Sequence, residues 1–110
     1  MAILNLTPHA VNIVKDGEEL LSIPPSGVVA RATQSDVTVG QVEGIEVVRT
    51  TFGDSTDLPD PVEGVWLVVS LATATAAKAA GRTVDDLLLT SGPVRDVDGR
   101  IIGCQRFARL

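Results

Sequence analysis

The sequence predicts an α+β domain that is mainly β: a small antiparallel, partly barrel-like sheet with one short helix packed on it. Three observations carry this. Short apolar-rich runs recur along the chain between Gly, Pro and Asp turn signals, the pattern of a small β-sheet protein. One run, Val65 to Val69, is uninterrupted apolar sequence and reads as the most buried strand. A single alanine-dense stretch, Leu71 to Ala80, has strong helix propensity and lies between an N-cap residue, Ser70, and a natural stop, Gly81. At 110 residues and 45% apolar composition, residues 1–110 form one domain around one core.

Taken in order, Ile3 to Leu6 and His9 to Val14 are the first strand-like runs, and Asp16-Gly17 then turns the chain into Glu19 to Ile23 as a hairpin. Pro24-Pro25-Ser26-Gly27 ends it. Val28 to Thr33 and Val37 to Val39 are expected as further short strands, and Gly44 turns the chain into Ile45 to Thr51. Gly53 to Pro61 is rich in breakers and reads as a loop kept solvated by its three aspartates. After the helix, Thr83-Val84-Asp85-Asp86 caps a second short turn through Leu89, and Ser91-Gly92-Pro93 breaks the chain again. Val94 to Val97, the turn Asp98-Gly99 and Arg100 to Phe107 make a closing hairpin.

Composition narrows the function. The net charge of −5 disfavours nucleic acid and anionic membrane surfaces as partners. The only aromatics are Phe52, Trp66 and Phe107, too few for a base-stacking surface. One cysteine excludes an internal disulfide, and one histidine leaves a metal site without partners, so neither metal nor cofactor is expected. No run approaches a membrane span and no secretory leader is seen, so the expected location is the cytoplasm of a bacterial host cell. There is no Walker phosphate loop, no Gly-x-Gly-x-x-Gly and no Gly-x-Ser-x-Gly.

What remains is a set of polar and cationic residues at strand ends. Asn5-Leu6-Thr7-Pro8-His9 places the only histidine among hydrogen-bonding side chains, with Pro8 fixing the local backbone. Ser70 stands where the most buried strand gives way to the helix, whose N-terminus offers free N–H groups and a positive dipole end to an anion. The basic groups are arginine except Lys15 and Lys78, and Arg95, Arg100, Arg106 and Arg109 crowd the last strand region. Arginine suits bidentate contact with phosphate or carboxylate. Cys104 follows Ile101-Ile102-Gly103 and reads as a small buried hydrophobe, although a Cys104–His9 pair is the sharpest nucleophile the chain offers.

Asn5-Leu6-Thr7-Pro8-His9, Pro24-x-Ser26-Gly27 followed by Ala30-Arg31, Leu58-Pro59, Val68-Val69-Ser70 and Gly99-Arg100-Ile101-Ile102-Gly103-Cys104 together resemble a family of small proteins. These belong to bacteriophages, prophages and their hosts. In the segment Gly81-Arg82-Thr83-Val84-Asp85-Asp86-Leu87, both Asp85 and Asp86 stand as candidates for the family's acid. The resemblance brings no activity with it. It implies a phage context, in which small accessory proteins are often inhibitors or sequesterers of host defence components.

The leading expectation is a non-catalytic protein that sequesters a small anionic, nucleotide-derived signal such as an ADP-ribose-like molecule. Arg31, Arg95, Arg100 and Arg106 would contact phosphates, and Asn5, Thr7, His9 and Ser70 would meet sugar or base edges. A ligand of that size is more easily buried between subunits, so a homo-oligomer is expected. A second reading is a protein–protein module using the acidic segment Asp54 to Asp60, as a host-protein inhibitor or virion accessory factor. A third is a small nucleotide hydrolase using His9.

Overall fold

The computed structural model describes residues 2–110. Eight strands and one helix are present among them: β1 (Ala2–Asn5), β2 (Val11–Lys15), β3 (Glu18–Ile23), β4 (Arg31–Val42), β5 (Ile45–Thr56), β6 (Val65–Val68), α1 (Leu71–Ala79), β7 (Leu87–Arg95) and β8 (Ile101–Ala108). The class is α+β and mainly β. Six strands form one sheet in the order β1-β6-β7-β8-β2-β3, and β4 and β5 pair with each other alone. The six-stranded sheet curls until its two edges nearly meet. Asn5, the last residue of β1, donates from Nδ2 to the carbonyl of Ile23, the last residue of β3, at 3.1 Å.

Pairing within that sheet is mixed. The β2–β3 and β7–β8 pairs are antiparallel hairpin partners, as the turn signals predict. β1–β6, β6–β7 and β2–β8 are parallel. The chain between β6 and β7 carries α1, and a parallel pair needs such a crossover.

β6 is buried on both faces, which accounts for its unbroken apolar sequence. Leu67 and the following Val69 join Leu6, Ala30, Ala74, Ala77 and Leu87 beneath α1, while Val68 joins Val11, Ile23 and Cys104 on the other side. The helix offers mostly alanines to this contact, so it sits close to the sheet. Ser70 caps it, accepting from the Thr73 N–H at 3.2 Å, and the buried Thr73 hydroxyl donates to the Ala30 carbonyl.

Two segments depart from the expected boundaries. The separate short runs Val28 to Thr33, Val37 to Val39 and Ile45 to Thr51 are replaced by two twelve-residue strands joined at Glu43-Gly44, both with positive φ. β5 continues through Gly53-Asp54-Ser55-Thr56, so the acidic loop begins only at Asp57. The cause is cross-strand pairing, which runs from Arg31↔Thr56 to Val42↔Ile45 and overrides the local breaker signal. Ser91-Gly92-Pro93 is likewise no break. It lies inside β7, where Gly92 takes φ +70° and Pro93 stays paired opposite Cys104, and the register shifts only between Val94 and Arg95.

An ion pair fixes the remaining loop. Arg82 makes a bidentate contact with Asp86 at 2.9 and 3.0 Å and also donates to the Pro59 and Thr83 carbonyls. Asp86 is thereby the acid held inside the fold, and Asp85 meets Arg109 at the surface.

Candidate functional site

The parallel strands β1 and β6 end side by side, with Asn5 opposite Val68. Ligands in sheets with parallel strands are commonly held at such carboxyl ends. Here the ends feed two short segments, Leu6–Ala10 and Val69–Ser70, and between them and the start of β8 lies a cleft of about 530 Å³. Its polar rim is Thr7, His9, Asn12, Ser70 and Thr90, and its apolar wall includes Val69, Ile101, Ile102 and the buried Cys104. That volume is in the range of small-molecule sites. A second hollow of about 230 Å³ is lined by Thr7, Ser70, Thr73 and Arg31 among others. Thr7 and Ser70 line both spaces.

The loop that carries Thr7 and His9 is shaped by Asn5. Its Nδ2 donates to the His9 carbonyl at 2.8 Å and to Ile23, while its Oδ1 accepts from the Thr7 N–H at 2.9 Å and from the Thr7 hydroxyl. The Asn5 amide thus uses all its hydrogen-bonding capacity inside the fold. It positions Thr7 and His9 and has no donor or acceptor left for a ligand.

The opposite wall depends on a close backbone approach. β2 and β8 meet at Ile13↔Cys104, and a Cβ on Gly103 would lie 2.7 Å from the Asn12 carbonyl oxygen. Only glycine lets the two strands come together there. Asn12 reinforces the seam by donating to the Ile102 carbonyl and accepting from Ser22.

The expected site residues therefore divide. Thr7, His9 and Ser70 line the cleft together, and Arg31, at the start of β4, lines the adjoining hollow. The three expected arginines of the last hairpin line neither space. Arg95 donates to the Gly99 carbonyl at 2.7 Å and stabilises the β7–β8 turn. Arg100 follows that turn with its side chain exposed, and its backbone N–H bonds Asp96. Arg106 lies over Gly92 and reaches Gln105. Thr90, Asn12 and the Ile101–Ile102 wall were not expected. Thr90 falls between the expected turn through Leu89 and the expected break at Ser91, and Asn12 lies among apolar neighbours in sequence.

The lining of the larger cleft contains no lysine or arginine, so an anionic group would sit in the smaller hollow, beside Arg31 and the first turn of α1. That turn carries no acidic residue, and helix geometry leaves the Leu71 and Ala72 N–H groups outside the helical ladder. His9 and Cys104 share the cleft wall, but Cys104 packs into the core cluster with Val11, Ile23 and Val68. Among the described residues no three or more His, Cys, Asp or Glu side chains gather as metal ligands, and no helix is long and apolar enough to cross a membrane. No family model matches the chain, and no curated protein or solved structure does.

Proposed function

We propose that this protein binds a small anionic, nucleotide-derived molecule and holds it without turnover. The observation that carries the reading is the junction of two unlike spaces at Thr7 and Ser70. One is a neutral, partly apolar cleft large enough for a base and sugar, and the other is a small hollow with Arg31 and the start of α1. A molecule with a phosphate at one end and a flat, hydroxylated body at the other matches that division. The phosphate would meet Arg31 and the Leu71 and Ala72 N–H groups. The body would lie along Val69, Ile101 and Ile102, with the Thr7, Asn12 and Thr90 side chains and the His9 ring at its polar edges.

Binding without covalent chemistry fits the surroundings of two of the hydroxyl- or thiol-bearing side chains in the cleft lining, Ser70 and Cys104. Cys104 is packed into a core cluster, and the Ser70 hydroxyl is engaged with Thr73 at the helix cap. The resemblance to phage-associated proteins makes the ligand a host signal of the ADP-ribose kind, and binding its sequestration.

The test is capture. The purified protein is incubated with a bacterial small-molecule extract, washed and heat-denatured, and the supernatant is analysed by mass spectrometry. An intact nucleotide-like molecule is expected, in amounts reduced for Arg31→Ala. A protein that captures nothing from the extract or from a panel of nucleotides overturns the reading, and a converted product in the unbound fraction replaces it with catalysis at His9.

A further inference from the structure

Thr73 interrupts an alanine-dense helix. The first turn of α1 runs Leu71-Ala72-Thr73-Ala74, and a β-branched residue there lowers helix propensity relative to alanine. Its side chain is nonetheless fully buried, and its hydroxyl is engaged on both sides. The Ser70 hydroxyl donates to Thr73 Oγ1 at 2.9 Å, and Thr73 Oγ1 donates to the Ala30 carbonyl at 3.2 Å, 43 residues away in sequence. In a capping box the side chain at this position reaches back to the N–H of the cap residue. Thr73 reaches across to another segment instead.

What it reaches is the backbone that carries Arg31. Ala30 is buried, with its N–H donating to the Leu6 carbonyl at 3.0 Å and its own carbonyl accepting from Thr73. One residue on, Arg31 begins β4 and lines the smaller hollow together with Thr7, Ser70 and Thr73 itself. Among the described residues the Arg31 guanidinium meets no acid, so its place is set by the backbone beneath it. The Thr73 carbonyl meanwhile accepts from Ser55 Oγ at 3.3 Å, and Ser55 is paired with Ala32 at the root of the β4–β5 ribbon. Thr73 thus ties together two walls of the hollow, the Ser70 turn and the segment Ala30 to Ala32.

We propose that Thr73 is a positioning residue: its hydroxyl fixes Ser70 and Arg31 relative to each other, and so sets the grip of the smaller hollow on the phosphate end of a ligand. The inference rests on the nucleotide-binding reading above and assigns that reading a residue that acts through Arg31. Valine keeps the shape of threonine but can neither donate to Ala30 nor accept from Ser70. The larger cleft, which Thr73 does not line, is left as it was.

The experiment is calorimetric binding of two probes, adenosine monophosphate and adenosine, to the full chain. The wild type is expected to bind the nucleotide at least about tenfold more tightly than the nucleoside, the worth of one charge-assisted contact. Thr73→Val is expected to reduce that preference to about threefold or less, with adenosine affinity within about twofold of wild type. Thr73→Ser, which retains the hydroxyl, is expected to keep the preference. The double variant Arg31→Ala/Thr73→Val is expected to bind the nucleotide no more weakly than Arg31→Ala alone, because the two residues act as one unit. If Thr73→Val does not fold by circular dichroism, Thr73→Ala, a better helix former, carries the same expectation. Equal losses for both probes in Thr73→Val, an undiminished preference there, a lost preference in Thr73→Ser, or additive losses in the double variant each overturn the proposal and leave the nucleotide reading standing. A wild type that binds neither probe, or binds both alike, overturns the phosphate half of that reading and the proposal with it.

Discussion

Asn5 and Ile23 join the two edge strands of the six-stranded sheet through one side-chain amide, Nδ2 to carbonyl at 3.1 Å. The near-closure of the sheet therefore rests on a buried polar group where a barrel would use a ladder. The same amide sets the Thr7–His9 loop, so closure of the sheet and shape of the cleft are coupled through one residue.

Replacing Asn5 with Ala leaves the Thr7 N–H without its acceptor and removes the Asn5 donor from the Ile23 and His9 carbonyls, of which His9 keeps only the Thr7 hydroxyl. The expected loss is about 3 kcal/mol, because buried groups stripped of a hydrogen bond bear the full desolvation cost. Thermal unfolding should show a midpoint lowered by on the order of 10 °C. Asn5→Asp, which keeps the acceptor but loses both donors and adds a buried charge, should be no better.

Among the described residues, Arg82 and Asp86 are the one ion pair drawn into the fold, with side chains 16 and 13% exposed. Arg82→Met should cost about 2 kcal/mol in denaturant unfolding, since Asp86 loses both its contacts and Pro59 its donor. Arg109→Met, which breaks the exposed pair with Asp85, should cost less than about 0.5 kcal/mol. Equal losses would mean that the loop anchored at Pro59 contributes nothing to stability.

Gly103→Ala tests the seam between β2 and β8. The added methyl meets the Asn12 backbone and Val14 Cγ2 at 2.7 and 2.9 Å, so the strands must separate. A destabilisation of about 2 kcal/mol is expected, together with weaker capture of ligand because the cleft wall moves. Gly99→Ala meets no atom within 4 Å, and its cost should be confined to backbone strain at φ +82°.

Ser70→Asp separates folding from anion binding. Aspartate caps helices as well as serine, so stability should hold. The new carboxylate would sit where the proposed phosphate lies, and binding of a nucleotide measured by calorimetry should fall by at least tenfold. Arg31→Ala should lower affinity by a similar factor, whereas Arg100→Ala, whose side chain lines neither hollow, should stay within about twofold.

Much of this was readable from local signals. The Asp16-Gly17 hairpin, the β6 run and the Ser70-capped helix each carry their chemistry within a few residues. The ribbon does not, because its strands have no buried face to impose a clean alternation and Val39 is an extra residue in the register. Parallel pairing of β1 with β6 is equally silent, since no turn connects the two strands. In the site, Thr7, His9 and Ser70 stood out as polar residues at the ends of apolar runs. The arginines of the last hairpin line neither hollow, because closeness along a strand is not convergence on one face. Arg95 turns back to its own hairpin and Arg106 crosses to β7.

The cleft also has a history in time. The wall opposite the Thr7–His9 loop joins Asn12 to Ile102, 90 residues later in the chain. On the ribosome, β2 can fold against β3 early, but its parallel neighbour does not yet exist. A nascent chain therefore carries Thr7 and His9 long before it carries the cleft they line, which is complete only when β8 docks.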